Sequence, residues 1–141
     1  MLAVFGAPVS KTPAVDACQA VAAALTIQNK ISTLNEALAR EGQPPLRMRI
    51  GIHSGPVLTG SLGSSKRLEY AVIGDTVNCA SRLEGLKKDR HEGMVRILMS
   101  GETQCLLDKV PHYVTSESWG TIHIKGRLEP LEVIEIRNTA P

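Results

Sequence analysis

The order of its segments predicts an α+β domain, an antiparallel sheet with helices packed on one side of it. Three observations carry that prediction. A long stretch of helical period runs from Pro13 to about Arg40, short apolar segments cut by glycine turns follow it, and after one further helical stretch near Asp75 the chain closes in strand-like segments. With 141 residues, 43% hydrophobic and 21% charged, the chain suits a single domain over 1–141. It shows neither an internal repeat nor a low-complexity segment.

Taken in order, Leu2 to Phe5 reads as the end of a strand that stops at Gly6-Ala7-Pro8. In the helix that follows, Ala14, Ala17, Cys18, Val21, Leu25, Ile27, Ile31, Leu34 and Leu38 recur at three- and four-residue steps. Pro13 suits its first turn, and Gly42, Pro44 and Pro45 end it. Such a stripe predicts a helix laid on a sheet. Arg49–His53, Pro56–Leu62 and Arg67–Ile73 read as three strands broken by glycine turns. Asp75 then looks like the N-cap of a helix over Thr76–Leu83, with Gly85 as its stop. Asn78 and Arg82 stand four residues apart on it and share a face, while Val77, Ala80 and Leu83 fall on the opposite one. Leu86–Gly93 is a loop whose Lys87, Lys88 and Arg90 alternate with acids, which fits a solvated surface better than a phosphate site. Val95–Met99 is a strand, Gly101–Leu107 a short helix, and Tyr113–Thr115, Gly120–Lys125 and Leu131–Ile136 further strands.

Composition narrows the classes of function. A net charge of +2 implies no strong field toward nucleic acid or a membrane surface. Four aromatic residues, Phe5, Tyr70, Tyr113 and Trp119, are too few for stacking single-stranded bases, so an RNA-binding α+β domain is the weakest reading. Cys18, Cys79 and Cys105 are odd in number and far apart, which fits neither a disulfide framework nor a zinc site and suggests a reducing, cytoplasmic setting. No apolar run reaches membrane-spanning length, so direct membrane contact is not expected of this segment.

The blocks RIGIHSGPVLTG, EYAVIGDTVNCASRLEG and WGTIHIKGRLEPLEVIEI, with MLAVFGAP at the start, occur in an order and spacing that resembles the catalytic domain of bacterial-type class III adenylate and guanylate cyclases. That resemblance implies a ferredoxin-like cyclase fold, N-terminally incomplete, because the family's metal-binding aspartates and a purine-contacting lysine would lie upstream of Met1. It implies an enzyme that converts ATP, or less readily GTP, to a 3′,5′-cyclic nucleotide and pyrophosphate, working as a head-to-tail dimer with Mg2+ or Mn2+. By the same resemblance Arg82 matches the transition-state arginine, Asn78 the ribose-orienting asparagine and Lys125 the lysine on the terminal phosphates. Glu69 and Ala71, with the backbone at Val72, hold the positions that meet the purine.

Each residue also has a plainer role. An isolated helix arginine is usually a surface ion-pair partner, but Asn78 one turn earlier in the same motif favours the functional role for Arg82. Lys125 could equally be a lysine guarding an edge strand. Alanine at 71 offers no side-chain hydrogen bond, so base discrimination there should be weak, with a lean to ATP. His53 invites a catalytic-base role, and packing beside a turn fits it better. Asp75 could ligate a metal, yet a cap explains it and one carboxylate makes no two-metal site. Gly55, Gly60 and Gly63 suggest close backbone approach, with loop flexibility as the alternative, especially at Gly63. The chain as given should be inactive alone, prone to self-association, and dependent on a full-length protomer for metal ligands. The alternative is a non-catalytic cyclase-homology module that dimerises with and regulates such a protomer.

Overall fold

The structure is a computed structural model and describes residues 1–64, 67–87, 93–107 and 114–138. Helix α1 (Pro13–Arg40) leads into β1 (Met48–Ile52), the hairpin β2 (Leu58–Ser64) and β3 (Arg67–Ile73), helix α2 (Asp75–Gly85), β4 (Val95–Ser100), the short α3 (Gly101–Leu106), β5 (Val114–Ile122) and β6 (Leu131–Asn138). The main sheet has the order β1-β4-β6-β5, with β1 parallel to β4 and the other pairs antiparallel. β2 and β3 form a separate two-stranded sheet, in register from Leu58↔Ile73 to Ser64↔Arg67.

Helix α1 begins where proline and a capping hydroxyl coincide. The Thr12 Oγ1 accepts the Val15 N–H at 3.2 Å, and Pro13 at the first helical position lacks the donor that would otherwise be orphaned. At 28 residues, about 42 Å, the helix is far longer than the sheet is wide. Only Ala17, Val21, Ala24 and Leu25 are buried along it, with Ile31 partly so. Cys18 and Leu34, read from the sequence as part of the stripe, are exposed. The overhanging half is tied down by polar contacts instead: the Asn35 amide donates to Leu46 O at 2.9 Å and accepts from Leu46 N at 2.7 Å.

Residue alternation along the central strands gives the sheet two packed faces. Ile97, Met99, Ile134 and Ile136 meet Val21, Ala24 and Leu25 of α1 on one face. Leu98, Leu131 and Val133, offset by one position, meet Leu83 of α2 on the other. The α+β class therefore stands, but the helices cover both sides rather than one. All six residues of β4 are buried, which reads as a continuous apolar run rather than alternation because neither face sees water.

Other expectations change in detail. Leu2–Phe5 forms no strand: Leu2 and Phe5 remain exposed with no neighbouring ladder, and the segment is fastened instead by Ser10, whose hydroxyl donates to Asp16 on α1. β2 starts at Leu58 rather than Pro56, since proline has no N–H for a ladder, and its carbonyl is used by the Thr76 hydroxyl at 2.7 Å. The two strands expected around residue 115 and after 120 are one, β5, with a register shift between Ser118 and Gly120. β5 ends at Ile122, so Lys125 lies in a turn rather than on a strand. Tyr113, Lys88 and Arg90 lie outside the described residues.

Candidate active site

Helix α2 carries the sequence's most specific motif, and what seats it is glycine. An ideal Cβ on Gly51 of β1 would stand 2.1 Å from Ala80 O and 2.5 Å from Glu84 N, so α2 lies directly on the strand backbone. Gly55 is close in the same way to Thr76, its Cβ falling 2.6 Å from Oγ1. Gly60 meets nothing within 4 Å, so close approach within the chain does not explain it, and the surroundings of Gly63 lie outside the described residues.

The cap of α2 is Gly74, at φ +155, without any side-chain cap bond. Asp75 is the first helical residue, and its carboxylate accepts the Cys79 thiol at 3.5 Å. Cys79 and Leu83, one turn apart, are the buried pair, with Val77 and Ala80 half-buried beside them. Asn78 and Arg82 are exposed, so the helix presents an amide and a guanidinium together to solvent. Burial pushes the Cys79 thiol above its ordinary range, which makes it an unreactive packing group.

The far end of α2 is anchored by Arg96 of β4, only 3% exposed. Its guanidinium donates to the carbonyls of Leu86 and of Lys87, the latter at 3.0 Å, where a helix end leaves acceptors free. Burial lowers the Arg96 pKa, and the face of Trp119 lies 5.4 Å away, with Lys87 over the same ring at 5.2 Å. Lys87 is thereby a packing cation rather than a free phosphate ligand. Trp119 in turn donates to Glu135 at 3.1 Å. Arg49 of β1 pairs with Glu84 at 2.8 Å and completes the seat.

Against the exposed face of α2 folds the turn that follows β5. Ile124 is buried beneath it in the same cluster as Leu83, the Arg127 N–H closes the turn on Ile124 O at 3.1 Å, and Gly126 sits at φ +86. A Cβ at Gly126 would lie 3.4 Å from Arg82 Nη2 and 3.5 Å from Nη1. The fold therefore brings the Arg82 guanidinium against the turn that carries Lys125, itself exposed. Arg127 donates to Glu102 of α3 at 2.8 Å and reaches Cys79 Sγ at 3.8 Å.

Ala71 and Val72 are half-buried on β3, opposite Gly60 and Thr59 respectively. β3 passes through Gly74 into α2, so this segment is continuous with Asn78, but it belongs to the separate hairpin sheet rather than to the Arg82–Lys125 pair. Glu69 pairs with Leu62 in the ladder, and its side chain lies outside the described residues. His53 follows β1 and bonds Ser100 Oγ at 2.8 Å; Thr103 links Ser100 at 3.2 Å to Ser54 at 3.0 Å. Burial lowers the His53 pKa, the nearby Glu102 opposing, which keeps the ring neutral as a packed hydrogen-bonding group.

The site is an open surface. Two clefts on the described surface lie elsewhere: one of about 590 Å³ is lined by Gln28, Asn35, Met94 and Arg137, another of about 130 Å³ by Thr115, Glu117 and Glu135. Neither is lined by Asn78, Arg82 or Lys125. Among the described residues no three His, Cys, Asp or Glu side chains cluster to hold a metal ion, and the single carboxylate of Asp75 does not fit a two-metal centre. No described helix is long and apolar enough to cross a membrane. Sequence reading missed Gly126, Arg127, Glu102 and Arg96. The dipeptide Gly-Arg after Lys125 was the available signal for the first two; nothing local pairs Arg127 with Glu102.

Comparison with known proteins gives the family and the fold. The model of the adenylate and guanylate cyclase catalytic domain matches residues 1–135. The chain is 36% identical over 137 residues to adenylate cyclase 1 of Rhizobium meliloti (strain 1021), covering 96% of this chain and 19% of the relative. It is 32% identical over 130 residues to an adenylate cyclase of Anabaena cylindrica, covering 84% of this chain and 24% of that one. It thus spans a fifth to a quarter of these curated relatives. Among solved structures it resembles the adenylyl cyclase CyaB from P. aeruginosa, with a TM-score of 0.80 at 28% identity over 96% of this chain and 66% of that chain. The guanylyl cyclase Cya2 follows at 0.77 and 31% identity, over 96% and 64%. A family model spanning all but the last strand's end, on a sheet shared with solved cyclases, means that this chain belongs to the adenylate and guanylate cyclase catalytic domain family.

Proposed function

We propose that this chain supplies the substrate-orienting half of a nucleotide cyclase site that converts ATP, and less readily GTP, to a 3′,5′-cyclic nucleotide and pyrophosphate. The observation that carries the reading is the contact of the Arg82 guanidinium with the Lys125–Gly126 turn, on the same exposed face as Asn78. In the reaction the 3′-oxygen bonds to the α-phosphorus as the α-phosphorus bond to the bridging oxygen breaks. The hydroxyl proton is lost and pyrophosphate leaves. Both reacting groups belong to one molecule, so the protein's share is to fold the substrate and meet developing charge. Arg82 suits the α-phosphate, where a planar guanidinium gives charge-assisted bonds as negative charge grows. Asn78, one turn away, suits the ribose, and Lys125 the β- and γ-phosphates as a point charge. Glu69, Ala71 and Val72 on the hairpin suit the base. Two relatives named as adenylate cyclases support the lean to ATP.

An open half-site needs a covering surface. A second cyclase protomer in head-to-tail arrangement is the fitting occupant, and the carboxylates for Mg2+ or Mn2+ come from that protomer or from a segment outside this sequence. The chain by itself is accordingly inactive. The test is cyclic nucleotide production by a catalytic domain that includes the metal-ligand segment. Arg82→Ala should lower kcat by about 10²–10³-fold with unchanged thermal stability, and Arg82→Lys should not restore it, because the planar bidentate fork is lost. Wild-type turnover by Arg82→Ala would overturn the assignment. A completed domain with no turnover that still pairs with an active cyclase would favour the regulatory module.

A further inference from the structure

Lys125 is a long, exposed side chain on a four-residue turn, and such a group points nowhere in particular unless the turn beneath it is held. Here the turn is fastened at both ends. Ile124 is 5% exposed and packs with Leu83, Leu98, Leu131 and Val133. At the other end Arg127 uses one terminal nitrogen on the Glu102 carboxylate at 2.8 Å and lays the other 3.8 Å from Cys79 Sγ of α2. Between the anchors, Gly126 takes the left-handed conformation and meets Arg82.

We infer that Arg127, clamped by Glu102, is a positioning residue that holds Lys125 in register with Arg82 so that both address one triphosphate. The inference rests on the cyclase reading of Arg82 and Lys125. Arg127 does not itself face the substrate, because its fork is occupied by Glu102 and Cys79. Glu102 stays ionised for the clamp: burial pushes its carboxyl up, but its own backbone N–H and the Arg127 guanidinium outweigh this and hold it below the ordinary range. His53, kept neutral by burial, leaves Arg127 as the cation bonded to Glu102. The geometry joins three elements distant in sequence, α2, α3 and the turn after β5, at one point under Lys125.

The test uses the 141-residue chain and inorganic tripolyphosphate, with binding measured by calorimetry and backbone amides followed by hydrogen exchange. Arg127→Ala and the near-isosteric Glu102→Gln should each weaken tripolyphosphate binding about tenfold and speed exchange at Gly126 and Arg127, with β4 and α1 unchanged. The exchanged pair Glu102→Arg with Arg127→Glu should recover most of the affinity. In Lys125→Ala the further change Arg127→Ala should cost almost nothing, since the group being positioned is gone. Additive losses, or normal affinity in Arg127→Ala when Lys125→Ala binds poorly, would overturn the clamp alone. Failure of the parent to bind, or equal binding by Lys125→Ala, would sink the cyclase-site reading and the clamp with it.

Discussion

A Cβ added to Gly126 would stand 3.4 Å from Nη2 of Arg82, an ordinary contact, and the backbone there is at φ +86, so the left-handed turn rather than crowding favours glycine. The backbone constraint concerns the turn alone. The proximity sets the Arg82 guanidinium beside the turn that carries Lys125.

Gly126→Ala should cost about 1–2 kcal/mol of stability from the left-handed backbone, read by urea denaturation. The added methyl would meet the guanidinium at ordinary contact distance, so α2 stays in place. Tripolyphosphate affinity should fall only as far as the strained turn shifts Lys125. Gly126→Asn, which tolerates the left-handed region, should recover part of the stability and of the affinity lost with it.

Gly51→Ala acts differently, although Gly51 lies beneath the helix rather than at its exposed face. The clash is with backbone, Ala80 O at 2.1 Å and Glu84 N at 2.5 Å, so α2 as a whole must lift from β1. A loss of about 1–3 kcal/mol and a fall in nucleotide affinity are expected together. Leu83→Ala, which leaves the helix in place but removes a fully buried side chain, should cost about 2–5 kcal/mol with a smaller effect on affinity. Equal affinity losses in the two variants at matched stability would contradict the seating role of Gly51.

Stability should depend on pH through His53. Its folded pKa is lowered from 6.5 by burial, so the unfolded chain binds a proton more readily than the folded one. The contribution is complete above 6.5 and is lost as pH falls through the lowered folded value. Glu102 adds a second window: its pKa is held below 4.5, and its contribution is present above that value and lost as pH falls through the folded one. Denaturation midpoints measured at steps from pH 8 to pH 4 should show the first decline begin near 6.5 in the parent and vanish in His53→Gln.

Much of the fold was legible because it is written locally. Pro13, Thr12 and the periodic alanines and leucines marked α1, and the GDTVNCASRLE motif marked α2 with Asn78 and Arg82 on one face. Where reading failed, the cause was a non-local partner. Leu2–Phe5 looks like a strand until no ladder meets it, Cys18 looks like core until Ala17 and Val21 take the sheet-facing positions, Leu34 looks like core until the fully buried part of α1 ends at Leu25, and Lys125 looks like the end of a strand until β5 stops at Ile122.

The sequence by itself determined the family, the element types and which side chains α2 turns outward, since those follow from residue spacing and backbone preference over a few positions. Only the tertiary structure decided that helices cover both faces of the sheet, that the Gly126 turn lies beside Arg82, and that Arg127 is bonded to Glu102 and Cys79. Those relations join segments far apart in the chain, and they exist only once burial of Leu83, Leu98 and Ile124 in one cluster has brought the segments together.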